Sequence, residues 1–247
     1  MKRFFNWQIM LGIFLVVLSA VAYFIHFLIF RDAHHIFIYL IGDIAFVFLE
    51  VLLVTLIMHQ LLVHREKQAL LKKLNMVIGA FFSEVGTELL KRLSHFDLEA
   101  GKVADRLVVT NDWPENEFIK VHKYLKSHES AIDSKKADLD DLKKFLAERR
   151  EFLLILLENP NLLEHESFTN LLFAVFHLTE ELVRRRSFKN LPDNDYKHIS
   201  GDIKRAYGLL LSEWLDYMKY LKADYPYLFS LALRTNPFDR NACVEVR

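Results

Sequence analysis

The chain has 247 residues, with 32 basic and 32 acidic side chains and 52% hydrophobic residues. Zero net charge excludes the basic footprint of a nucleic-acid binder and a polyanionic tail. A single cysteine, Cys243, excludes an intrachain disulfide and any Cys-x-x-Cys zinc spacing.

Charge is unevenly distributed. Up to Val63 the only Asp, Glu, Lys or Arg residues are Lys2, Arg3, Arg31, Asp32, Asp43 and Glu50, and 29 charges of each sign follow. An apolar N-terminal part therefore precedes a charge-rich part of balanced sign, whose lack of disulfides fits the cytoplasm.

Lys2 and Arg3, followed by Phe4, Phe5 and Trp7, have the pattern of a cytoplasmic start with an interfacial aromatic belt. Residues 9–30 carry no charge and are predicted as a first membrane span. Ala20-Val21-Ala22 has the small-x-small form of a signal-peptidase site, but the apolar run continues to Phe30, beyond the length of a signal h-region. Arg31–His35 is predicted as a short turn on the outer side. Residues 36–58 are apolar except for Tyr39, Asp43, Glu50 and Thr55, enough for a second span, since a bilayer core takes about 20 helical residues. His64, Arg65, Lys67, Lys72 and Lys73 then outweigh Glu66, which by the positive-inside rule puts both chain ends in the cytoplasm.

At about 100° per residue, Ser19, Tyr23 and His26 share a stripe of the first span with Gly12 and Val16, and Tyr39, Asp43 and Glu50 share one on the second with Ile57. Small and polar residues on one face suit close helix packing in lipid. By depth, Tyr23 and His26 lie level with Asp43, and Ser19 lies near Glu50. A charge at the bilayer centre costs roughly 2.5–3.5 kcal/mol on insertion scales. Two readings follow: a packed polar seam in which Ser19, Tyr23 and His26 satisfy the carboxylates, or an ion path lined by Asp43 and Glu50. Two spans cannot enclose both carboxylates, so a homo-oligomer is expected.

No proline precedes Pro114, and the second span is predicted to run on as a helix with Leu71, Leu74, Ile78, Phe81 and Val85 at 3-4 spacing. Gly79 and Gly86 mark a bend or a close contact, and residues 96–114 read as irregular. A short polar helix is predicted over 115–131. Another covers about 137–158, capped by Ser134 or Asp138, with Arg149 intruding in its apolar phase. A helix over 162–186 pairs Glu180 with Arg184 and Glu181 with Arg185. The helix over 195–223 carries a 4-3-4-3-4 seam of Ile203, Tyr207, Leu210, Trp214, Tyr217 and Leu221. Asp224-Tyr225-Pro226 stops it, one or two further turns follow, and a frayed tail begins at Asn236.

Eleven histidines raise the question of metal. None has Glu three residues before it, so the Glu-x-x-His pairs of di-iron bundles are absent. His-Glu-x-x-His, a Gly-rich phosphate loop and Gly-x-Ser-x-Gly are absent too. His26, His34, His35 and His59 lack the depth-matched pairing that haem between spans requires. His177 lies off the apolar stripe of its helix and reads as a surface or bundle-edge residue.

The sequence therefore predicts an all-α protein: a two-span transmembrane hairpin whose second helix continues into a cytoplasmic α-helical bundle. The divisions are 1–63 hairpin, 64–113 helical extension and irregular connector, 114–233 bundle, and 234–247 tail. The expected function is a non-catalytic, oligomeric, membrane-anchored interaction or signalling protein. The alternative is an oligomeric ion or proton channel with Asp43 and Glu50 lining the path. The polar face of the spans is assigned to Asp43, Glu50, Tyr39, His26, Tyr23 and Ser19. The bundle or oligomer seam is assigned to Leu74, Phe81, Ile203, Tyr207, Leu210, Trp214 and Leu221. No metal or other cofactor is expected. The expected partners are membrane lipid, further copies of the chain and a cytoplasmic protein, and not nucleic acid.

Overall fold

In a computed structural model the chain is all-helical, and among the described residues there is no strand. Residues 2–245 are described, with side chains except those of 2–6, 8, 163 and 164. The chain divides into two units, Met1–Lys67 and Gln68–Arg247.

The first unit is a helical hairpin. Helix α1 spans Lys2–Phe30, and α2 starts at Ala33 and runs to Phe81. Arg31 and Asp32 alone join them, so the turn is shorter than the predicted Arg31–His35. It works because Arg31 adopts the left-handed conformation (φ 51°) that ends α1. Asp32 Oδ1 then accepts the backbone N–H groups of His34 and His35 at 2.9 and 3.2 Å, satisfying two free donors at the start of α2. Residues Ile9–Phe30 and the N-terminal part of α2 are long and apolar enough to cross a membrane. Within this unit no apolar side chain is buried among the described residues, and nearly all the large hydrophobic ones from Trp7 to Val63 are exposed.

The second unit has one hydrophobic core. Helix α2 contributes Leu74, Ile78 and Phe81 to it, and Leu71 faces outward at 39% exposure. A π-helical turn, Phe82–Gly86, follows, and α3 spans Thr87–Ser94. The wide turn is closed by the Thr87 hydroxyl, which donates to the Phe82 carbonyl at 2.8 Å. Its extra residue lets Phe81 and Phe82 both face the core, with rings edge-to-face at 5.3 Å. Gly86 accommodates them, since a Cβ there would lie 2.6 Å from the Phe82 ring.

Residues 64–113 are therefore not a separate connector. Helix α4 (Ala100–Leu107) forms where an irregular stretch is predicted, because Val103 and Leu107, four residues apart, both reach the core. Helix α5 spans Glu115–Ser127, behind Pro114. The predicted helix over 137–158 is two helices, α6 (Leu139–Glu148) and α7 (Arg150–Leu157). They break at Arg149, whose phase would otherwise bury a guanidinium. There it donates instead to the Glu84 and Phe145 carbonyls at 3.2 and 3.3 Å and lies 4.0 Å over the Phe145 ring. Asp138 caps α6, accepting from Asp140 N and Asp141 N. Ser134 is buried and donates to the Tyr196 carbonyl at 2.8 Å.

A 3-10 turn (Pro160–Glu164) leads to α8 (Glu166–Arg184), α9 (Asp193–Asp224) and α10 (Pro226–Arg234). Helix α9 is the axis of the unit, packed against α3, α5, α8 and α10. Ile203, Tyr207, Leu210, Trp214 and Leu221 are all at most 3% exposed within one chain. The seam, with Leu74 and Phe81, is thus used inside the bundle and is not free for self-association. The tail is docked where fraying is predicted: Phe238 packs edge-on against Trp214 at 5.1 Å, and Asn236 Nδ2 donates to the Leu107 carbonyl at 2.9 Å.

Two substitutions test this packing. Gly86→Ala forces the Phe81 and Phe82 rings apart and should destabilise the unit by about 1–3 kcal/mol, the usual cost of overpacking a core, read as a lower thermal midpoint. Glu213 is 4% exposed in α9, and burial, aided by nearby Asp216, pushes its carboxyl above the ordinary range against the opposing pull of Ser167 and His165. A carboxyl raised by folding favours the fold below its unfolded pKa and opposes it as pH rises through the folded value. Glu213→Gln should therefore raise the midpoint at pH 8 by about 2–4 °C per kcal/mol relieved, and the gain should shrink toward pH 4.

Candidate functional site

Two groups of polar side chains stand apart from the core, one in each unit.

The first lies between the helices of the hairpin. Ser19, Tyr23 and His26 recur every three to four residues on α1, and Tyr39 and Asp43 lie four apart on α2. With Ala22 and Ile36 they line a cleft of about 370 Å³. His26 is half-buried and its Nδ1 has no hydrogen-bond partner among the described residues. Its ring lies 4.7 Å from Phe30 and 6.2 Å from His35, and His35 meets Tyr39 edge-on at 4.7 Å. Five of the six residues assigned to the polar face thus share one cleft. Glu50 does not line it; it sits two turns further along α2 and is exposed. Residue His35, assigned to the turn by sequence, is a helical residue beside the cleft. The two-residue turn starts α2 early enough to bring it opposite His26.

The second group lies on α8 and α9. His177 and Glu181 are four residues apart on α8, and His198 and Asp202 are four apart on α9, so each pair shares a helix face. Asp202 Oδ2 lies 3.3 Å from His198 Nε2 and 3.5 Å from His177 Nε2. His198 Nε2 is also 3.6 Å from Glu181 Oε2. Asp202 is 4% exposed, and its Oδ2 has no hydrogen-bond partner among the described residues. The surroundings hold the carboxylates in place. Arg185 donates to Glu181 Oε2 and Asp195 Oδ1 at 2.6 Å each, so both carboxyls sit below the ordinary range. Arg205 lies 3.5 Å from the other Asp202 oxygen.

This second constellation is invisible to a search for Glu-x-x-His, because here the histidine comes first and the spacing is four. The usable signal was a His-x-x-x-Glu pair followed by a His-x-x-x-Asp pair on consecutive helices. The predicted Glu180–Arg184 pair forms at 3.0 Å, and Arg150 adds a second contact to Glu180 at 2.6 Å.

Sequence comparison places both units in one family. Residues 2–62 match the family model described as MJ1433, N-terminal helical domain, and residues 70–234 match that of uncharacterized protein MJ1433, C-terminal helical domain. A relative from Methanocaldococcus jannaschii, described as uncharacterized protein MJ1433, is 47% identical over 239 residues, covering 97% of this chain and 96% of its own. No solved structure matches the chain. With both helical domains matched and near-complete coverage of that relative, the chain belongs to the MJ1433 family.

Proposed function

We propose that the chain is a membrane-anchored protein whose hairpin spans the bilayer and whose second unit is a cytoplasmic, non-catalytic interaction domain. The supporting observation is the exposure of the hairpin: apolar side chains on every side of α1 and of the N-terminal half of α2 are uncovered. A helix that is apolar all round needs a surrounding apolar medium, and 22 residues of α1 span about 33 Å, a bilayer core. Lys2 and Arg3 at the start of α1, and the basic cluster around Arg65 and Lys67, support a cytoplasmic position for both ends.

The polar cleft supports assembly in the membrane. Asp43 and Tyr39 are exposed on the hairpin, and a carboxylate facing acyl chains is costly, so this face meets protein or water. A second copy of the chain is the partner we assign to it. In the bundle, the interaction surface offered to a cytoplasmic protein is charged and balanced in sign. The cleft also favours a second reading, cation conduction past Asp43, with Glu50 contributing from another depth.

Topology is checked by labelling: Ala33→Cys should react with an impermeant maleimide from outside intact cells, and Cys243 should react only after permeabilisation. The reverse pattern refutes the anchor as oriented here. Conduction is checked in proteoliposomes. On the packed reading, Asp43→Asn with Glu50→Gln leaves assembly intact and the wild type shows no flux above empty vesicles. Strong wild-type cation flux that the double substitution cuts by about tenfold or more would install the channel instead.

A further inference from the structure

From the α8–α9 constellation we infer a binding site for a divalent transition-metal ion, held by His177, His198 and Asp202 with Glu181 at its edge. Nothing in the anchoring function requires these residues to converge.

The distances carry the argument. A tetrahedral ion with bonds of about 2.0–2.1 Å to imidazole nitrogen and carboxylate oxygen holds its ligand atoms about 3.4 Å apart. Three separations among the four side chains are 3.3, 3.5 and 3.6 Å. The ligand atoms of His177, His198 and Asp202 all lie within 4.8 Å of one another. The donors are therefore spaced as around a common centre, on two helices whose packing is the most extensive in the unit.

The buried oxygen is the second observation. Asp202 is more than nine-tenths buried, and its Oδ2 points toward both imidazoles without accepting a hydrogen bond from a described residue. An unpaired buried carboxylate oxygen is costly, and a cation between it and the two nitrogens removes that cost. Its other oxygen faces Arg205, and Glu181 is steadied by Arg185, the outer contacts that orient ligating carboxylates.

Ligand type selects the ion. Two imidazoles with carboxylate suit zinc, nickel, cobalt or iron, whereas magnesium and calcium prefer all-oxygen sets. The carboxylates of Asp202, Glu181 and Asp195 exceed the guanidiniums of Arg185 and Arg205 by one negative charge, so a dication is electrostatically acceptable. His177 and His198 are about half exposed, so the ion is reachable from solvent. Bound there, it ties α8 to α9.

The test is a zinc titration of the full-length chain in detergent, with any affinity tag removed and metal stripped by chelator. One zinc per chain should bind with a dissociation constant on the order of 1 μM or tighter, with a rise in thermal midpoint. Magnesium should give neither. His177→Ala, His198→Ala and Asp202→Asn should each weaken zinc binding by about 100-fold or more. His95→Ala, at an exposed histidine outside the cluster, should leave it unchanged. Circular dichroism in chelator confirms that each variant is folded, and the half-exposed histidines keep the test decisive if Asp202→Asn does not fold. The site is overturned if no one-to-one zinc binding is seen, if the double variant His177→Ala/His198→Ala binds as the wild type does, or if magnesium competes equally with zinc.

Discussion

Helix α9 sets the terms for the bundle. It is 32 residues long and packs against α3, α5, α8 and α10, which leaves a stripe including Lys197, Gly201, Lys204 and Gly208 facing water and withdraws the rest from it. Any polar group on the covered part must be satisfied by a neighbour or held uncharged. Its apolar seam accepts this without cost. Its three buried polar side chains do not, and each marks a point where neighbouring helices respond. Glu213 meets Ser167 and His165 at the start of α8. Burial, and after it the charge of Asp97, push the ionisation of the Tyr207 hydroxyl upward. Asp202 meets the imidazoles of α8 and of its own helix. The most distinctive chemistry of the bundle is thus a product of burying one long amphipathic helix on several sides.

The two units solve the hydrophobic problem in opposite ways. From Gln68 onward, apolar side chains turn toward one another and the charged ones outward, with ion pairs such as Arg150–Glu180 and Lys219–Glu115 on the surface. Exposed pairs of this kind contribute little individually; burial dominates. The hairpin has no such interior. Its helices are held by satisfied backbone bonds along each helix and a capped two-residue turn, and its described large apolar side chains stay largely exposed. What the hairpin does fix internally is the register of α1 against α2 near that turn, and this register assembles the polar cleft.

Much of this was legible in the sequence. The helical class, the apolar N-terminal hairpin and the core face of α9 follow from periodicity, which reports directly on burial. Leu74, Phe81, Ile203, Tyr207, Leu210, Trp214 and Leu221 all reach the core, because a helical stripe of large apolar residues has few other uses. Periodicity could not say whether the stripe would be covered by the same chain or another, since the pattern is the same in both cases. Local signals that compete with periodicity were harder to weigh. Arg149 was visible as an intruder, but that it would split its helix depended on the Glu84 and Phe145 carbonyls being within reach. Val103 and Leu107 gave too short a pattern to distinguish a helix from a loop. The four-residue cluster on α8 and α9 was hidden for a geometric reason: its residues are adjacent only once two helices pack, and each pair alone looks like an ordinary solvated face.

The π-helical turn bears on how the chain tolerates change in length. Such a turn holds one residue more than the α-helical turn it replaces, so the number of residues between Phe82 and Gly86 is itself a structural parameter. Loss of any one of them would return the backbone to α geometry and leave Leu74, Ile78 and Phe81 in nearly the same phase relative to α3, because the wide turn takes up its extra residue within about one turn of rotation. A single-codon deletion there would keep the flanking core faces in register and cost only the extra position that lets Phe81 and Phe82 both face the core. The segment is thus a point where a continuous helical run can give up a residue and keep its core faces in register, whereas the same loss inside α2 would rotate them by about 100°.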